Sequence, residues 1–120
     1  MSKSRQLKSN KDSRLQTLTM LADLVERRQD CGETLWVVTV GGCPVEPEID
    51  STGKIVGAAM SSLTAVTSLT WDEAVEVQAA LGVTGYVVNP LWKTLDAAIR
   101  ANLRYLRHLE AEIKMLETLI

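Results

Sequence analysis

The last quarter of the chain restricts its fold most. Asn89-Pro90 offers an N-cap followed by a proline suited to a first helical turn, and no Gly or Pro follows before Ile120. From Trp92 the apolar residues advance by alternate steps of three and four, through Leu95, Ile99, Leu106, Leu109, Ile113, Leu116 and Ile120. Asn102 is the one polar member. This is a heptad seam, and it predicts one amphipathic helix of about 30 residues, roughly 45 Å long at 1.5 Å per residue. Helices draw most of their stability from packing such a face, so this one needs a partner.

Glu110, Glu112 and Glu117 flank the seam without basic counterparts at the flanking positions. A parallel homodimer would oppose glutamates to glutamates. Antiparallel pairing avoids this, as does packing on an N-terminal helix of the same or another subunit. The helix is also longer than a domain of this size is wide. A homo-oligomer is therefore expected, in its simplest form a dimer, with Ile99, Asn102, Leu106, Leu109, Ile113 and Leu116 at the interface and Asn102 as a register device. The opposing possibility is that the whole seam is intramolecular core.

At the other end, residues 1–11 are polar and basic (Lys3, Arg5, Lys8, Lys11) and read as a flexible arm. Residues 12–120 then form a single domain. Asp12 or Ser13 is expected to cap a first helix, with Ser13-x-x-Gln16 as its capping box. Leu15, Leu18, Ala22 and Val25 fall on one helical face, widened by Leu21 and Leu24, and Gly32 ends the helix.

Between the two helices the periodicity changes. Thr34–Val40 is rich in β-branched residues with no polar face, which predicts a central strand ended by Gly41-Gly42. Cys43–Asp50, with Pro44, Pro47 and three acids, reads as an extended loop. Lys54–Met60 and Ser61–Leu69 read as strands. Thr70-x-x-Glu73 is a second capping box, opening a short helix Trp71–Leu81 closed by Gly82, and Tyr86–Val88 is a short strand. The fold class is α+β: a small antiparallel or mixed sheet of three to four strands, an N-terminal helix, a short middle helix and a long C-terminal helix.

Composition excludes several functions. The net charge is −2, but residues 1–30 hold seven basic and four acidic side chains, residues 31–80 one and seven, and residues 81–120 five and four. Such a chain has no general cationic coat for nucleic acid. Cys31, Cys43 and the lone His108 do not make a zinc site or a disulfide framework, so no metal and no cofactor are expected. No apolar run reaches the ~18 residues of a membrane span, and no signal segment opens the chain, so the expected location is the cytoplasm with no membrane partner.

Three motif-like stretches fail on inspection. Ser51-Thr52-Gly53-Lys54 lacks the first Gly and the final Ser or Thr of a phosphate loop, having Glu48 and Ile55 there. Gly41-Gly42 leads into no dinucleotide fingerprint. A helix-turn-helix over Asp72–Leu91 would place strand-forming residues and no Lys or Arg in its second helix. No nucleophile–base pair can be named, so an enzyme is not expected.

What remains is charge on the last helix. Lys93, Arg100, Arg107 and Lys114 recur every seven residues, and Arg104 joins them. Asp96 with Arg100 and Glu110 with Lys114 have the four-residue spacing of ordinary helical ion pairs, so the stripe is either a solvated face or an anion-binding one. The expected function is a non-enzymatic oligomeric module that sequesters or blocks a protein or small anionic ligand, with Lys93, Arg100, Arg104 and Arg107 as contacts. The alternative is a nucleic-acid-binding regulator using the basic arm and the same arginines.

Overall fold

The structure, a computed structural model, describes residues 2–82 and 84–119. Two helices of equal length dominate it, α1 (Lys3–Cys31) and α3 (Leu91–Leu119), each of 29 residues. They run antiparallel side by side, as the contacts Asn10–Glu112 (3.1 Å) near one end and Arg28–Asp96 (2.9 Å) near the other require. Between them the chain forms strands β1 (Trp36–Val40), β2 (Cys43–Ile49) and β3 (Ile55–Met60), helix α2 (Trp71–Leu81) and strand β4 (Tyr86–Pro90). The sheet is wholly antiparallel, in the order β3-β2-β1-β4. The expected α+β architecture is therefore the one observed.

The central strand β1 is buried on both faces because each face meets a different layer. Val37, with Cys31, Leu24, Val66, Leu91 and Leu95, forms a cluster under the two long helices. Val38, with Val45, Leu69, Ala74 and Val77, forms a second cluster under α2. Helix α2 has the boundaries its sequence implies. The Thr70 hydroxyl accepts from the Glu73 amide, and the Glu73 carboxylate accepts from the Thr70 amide.

Four local expectations are corrected. Cys43–Ile49 is a strand, despite its two prolines. A two-residue turn at Gly41 (φ 57°) and Gly42 (φ 82°), both left-handed, folds β2 back on β1 and fixes the alternation of its amides. Pro44 then lies past the end of the β2–β3 pairing and Pro47 past the end of the β1–β2 pairing. Each missing N–H thus falls where the strand has no ladder partner. Conversely, Ser61–Leu69 is not a strand but a turn-rich crossing joined to β1 by one bridge, Trp36–Leu69. It is held down by Arg27, whose guanidinium donates to the Leu63 carbonyl (2.9 Å) and the Val66 carbonyl.

At the start of the last helix, Asn89 and Pro90 belong to β4, not to a cap and first turn. Asn89 donates to the Thr39 hydroxyl across the sheet, and the Leu91 amide donates to the Leu35 carbonyl. Helix α1, finally, begins at Lys3 behind an N-cap at Ser2, not at Ser13. Residues 3–11, expected as a flexible arm, are its first turns. They lie along the acidic end of α3, where Asn10 meets Glu112 and Lys11 meets Glu117 (3.8 Å).

Candidate binding face on the helical hairpin

The heptad seam of α3 packs on α1 of the same chain. Leu95, Leu109, Ile113 and Leu116 are buried, and Trp92, Ile99, Asn102 and Leu106 are half-buried; Ile120 lies outside the described residues. The matching row on α1 is Leu7, Asn10, Arg14, Thr17, Leu21, Leu24, Arg28 and Cys31, and every one is at least half-buried. Of the six residues expected to meet another subunit, all lie on this intramolecular seam. Asn102 spends a donor on the Ala98 carbonyl of its own helix (2.8 Å) rather than on a partner.

The α1 row that periodicity favoured for burial is the one left outside. Leu15 is 65% exposed, Leu18 44% and Val25 39%, and Ala22 between them is also exposed. Leu21 and Leu24, which in the sequence only widen the stripe, carry the packing at 7% and 2% exposure. The choice belongs to the tertiary structure. Arg27 must reach the Leu63–Val66 crossing, and that turns Leu21, Leu24 and Thr17 toward α3 and Leu18 away.

Four rows of side chains therefore face outward beside one another. On α1 these are Leu15 with Ala22, then Lys11 with Leu18 and Val25. On α3 the row bordering α1 is Asp96, Leu103, Glu110 and Glu117, because Asp96 reaches Arg28 and Glu117 reaches Lys11. Three residues earlier in each heptad comes the outermost row, Lys93, Arg100, Arg107 and Lys114. The contacts at the two hairpin ends set Leu18 level with residues 104–106 of α3, so Leu103 adjoins the apolar row. Arg100, Leu103, Arg104 and Arg107 line a shallow cleft of about 250 Å³. The sheet lies on the opposite side. There Met20, Leu24, Ala98 and Asn102 share a cleft of about 380 Å³ with Cys43, Pro44 and Met60–Leu63.

The electrostatics of this face differ from the sequence expectation. Asp96 is drawn to Arg28, not Arg100. Among the described residues no carboxylate lies within 4.0 Å of Arg100, Arg104, Arg107 or Lys114. Lys93 rests over the Trp92 ring at 5.3 Å, with Arg28 against the same ring at 5.5 Å. His108 is placed beside Glu112 at 3.6 Å. The arginines thus stand together around Leu103 with no carboxylate within 4.0 Å among the described residues, and the row of Asp96, Leu103, Glu110 and Glu117 separates them from the apolar rows of α1.

Other parts of the molecule offer less. Among the described residues no group of three or more His, Cys, Asp or Glu is placed to hold a metal ion. No described helix is long and apolar enough to cross a membrane. Cys31 is buried and Cys43 exposed, both as free thiols. The second helix of the supposed helix-turn-helix is strand β4. In the Ser51–Lys54 turn, the amides of Thr52 and Lys54 donate to the Asp50 carboxylate, as does the Thr52 hydroxyl, so the turn is closed by its own acid. No protein-family model, curated protein or solved structure matches the chain.

Proposed function

We propose that the chain is a non-enzymatic binding module whose working surface is the outer face of the α1–α3 hairpin, and that it takes an acidic, amphipathic protein segment. The observation that carries this reading is the juxtaposition of the exposed Leu15, Leu18, Ala22, Val25 and Leu103 with Arg100, Arg104 and Arg107, none of which has a carboxylate within 4.0 Å among the described residues. Apolar surface supplies the drive to associate, and guanidinium forks select carboxylates and fix the orientation. A face built this way suits sequestering or blocking a partner. The hairpin is held by its own seam and by Arg28–Asp96, so the face is preformed and binding carries little ordering cost.

The test uses a synthetic helical peptide with a Leu stripe bordered by Glu, with inorganic phosphate and single-stranded DNA as alternative probes. Replacing Arg100, Arg104 and Arg107 together by Gln is expected to weaken peptide binding at least tenfold and to leave the circular dichroism spectrum unchanged. Equal binding by the wild-type and triple-Gln chains would sink the proposal. So would strong retention of DNA or phosphate with no retention of the peptide.

A further inference from the structure

From the same face we infer that the acidic, amphipathic partner is a second copy of this chain, laid over the first in reverse about a two-fold axis. This inference rests on the functional reading above and gives its partner an identity.

The first argument is the apolar pattern. Leu15, Leu18, Ala22 and Val25 are separated by three, four and three residues, a spacing that reads the same in both directions. Two copies of α1 crossing antiparallel therefore match apolar to apolar along the whole row, with Leu15 against Val25 of the second copy and Leu18 against its Ala22. The centre of this row lies between Leu18 and Ala22. By the three contacts that align the hairpin, that point is level with residues 102–108 of α3. Leu103 thus lies near the centre as well, close to the paired α1 rows.

The second argument is charge. On α3 the outermost row is all basic (Lys93, Arg100, Arg107, Lys114), and the row beside it is acidic except at Leu103 (Asp96, Glu110, Glu117). When two antiparallel helices pack through two rows spaced like heptad core positions, each row meets the other row of its partner. Bases then meet acids at three of four levels: Arg100 approaches Glu110 of the second copy, Lys93 its Glu117, and Lys114 its Asp96, while Arg107 comes level with its Leu103. The other two-fold arrangement, with α1 of one copy over α3 of the other, would set Leu18 and Val25 on Arg107 and Arg100. Only the reversed pairing satisfies both patterns, and it is isologous, as a closed dimer requires.

The third argument is size. A face two helices wide, roughly 20 Å, and about 43 Å long has a footprint of roughly 850 Å², close to what each partner contributes to a stable interface. The sheet lies on the far side of the hairpin and does not obstruct it. Helix α1 thus serves two seams, one toward α3 and one toward its own copy. Arg104, lying outside both α3 rows, stays on the rim.

The test is the solution mass of the full chain, read by light scattering and sedimentation equilibrium from 1 to 200 µM. A dimer of the 13.2 kDa chain is expected. Leu18→Arg, at an exposed position, is expected to give a monomer with unchanged helix content. Two charge-reversed proteins extend the test: Arg100→Glu with Arg107→Glu, and Glu110→Lys with Glu117→Lys. Each alone sets like charges together and is expected to be monomeric. Mixed in equal amounts they are expected to form a heterodimer, with an association constant at least tenfold above either self-association. A wild-type monomer at 200 µM overturns the inference, as does a dimer indifferent to Leu18→Arg or a mixture that stays monomeric. If the wild type is monomeric yet loses the acidic peptide on triple Arg→Gln replacement, the inference fails while the functional reading survives. If the triple replacement changes neither self-association nor peptide binding, both fail.

Discussion

Leu18 and Leu24 lie six residues apart on one helix, and the structure assigns them opposite fates. Truncating Leu24 to Ala removes a side chain that is 2% exposed within the cluster under the long helices. The removed methyl groups lose their transfer free energy, and a cavity remains between Val37, Leu95 and the Leu63–Val66 crossing, which Arg27 holds in place. Such sites lose about 2–5 kcal/mol, and this one should fall near 3 kcal/mol because its neighbours come from three different elements. Leu18 is 44% exposed in the single chain, so its truncation gives up at most about 1 kcal/mol of burial and leaves no cavity. The comparison belongs in a background that light scattering finds monomeric, the wild type or the Arg100→Glu/Arg107→Glu chain, which separates folding from association. With urea and an m-value of about 1.5 kcal/mol/M, Leu24→Ala should lower the midpoint by about 2 M and Leu18→Ala by less than about 0.7 M, with m unchanged. If the two variants cost the same, or if Leu18→Ala costs more, the orientation of α1 described above is wrong.

Three further outcomes follow from local geometry. The Thr52 hydroxyl, then the amides of Lys54 and Thr52, hold the Asp50 carboxyl below its usual value of 3.8, so its charged form stabilises the β2–β3 turn. That contribution is complete above the unfolded value and is lost as pH falls through the folded one. Protection of the Thr52 and Lys54 amides, taken relative to the intrinsic exchange rate at each pH, should fall as the pH drops below about 4, and Asp50→Asn should abolish that pH dependence and leave both amides weakly protected throughout. Thr70→Ala removes the cap of α2 and should cost about 1 kcal/mol in thermal unfolding; a loss under about 0.3 kcal/mol would contradict the capping geometry. A Cβ at Gly42 would meet nothing within 4 Å, so Gly42→Ala probes backbone strain alone at φ 82°. It should destabilise by about 1–2 kcal/mol in urea unfolding, and a neutral effect would argue against the left-handed two-residue turn.

The elements easiest to read in the sequence were those closed by local chemistry. Thr70, Glu73 and Gly82 delimit α2 at the boundaries observed, because a capping box and a terminal Gly act over a few residues. β1 was legible because a short β-branched run between turn residues has few other uses. What was not legible depends on distant partners. The first turns of α1 hold no apolar stripe of their own and run helical beside Glu112 and Glu117, a hundred residues later. Prolines in β2 are tolerated because of where its neighbours end, which no local pattern records. Leu15, Leu18, Ala22 and Val25 form as regular a stripe as the buried row does, and helical periodicity cannot say which of two stripes faces inward. The basic face was legible residue by residue, but its lack of carboxylate partners was not, since that depends on Asp96 turning to Arg28.

The seam of α3 shows how far a heptad pattern goes. Its spacing establishes that a second helix lies along it, and it is silent on whether that helix belongs to the same chain. Asn102 would be a register device in a pair of identical helices, where two such amides meet across the seam. Here it lies level with Leu21 and donates to its own helix, so it specifies nothing about the pairing. Register is set at the ends instead, where Arg28 meets Asp96 and Asn10 and Lys11 meet Glu112 and Glu117. Shifting one helix by a heptad would break all of these contacts and carry a basic first turn of α1 beyond the acids of α3. Two of the three glutamates that argue against a parallel homodimer, Glu112 and Glu117, are therefore the groups that align α3 with the basic start of α1. The charges left over on α3, the Lys93-to-Lys114 row and its acidic neighbour, are the ones that the inferred dimer would set against each other, with Arg107 falling on Leu103.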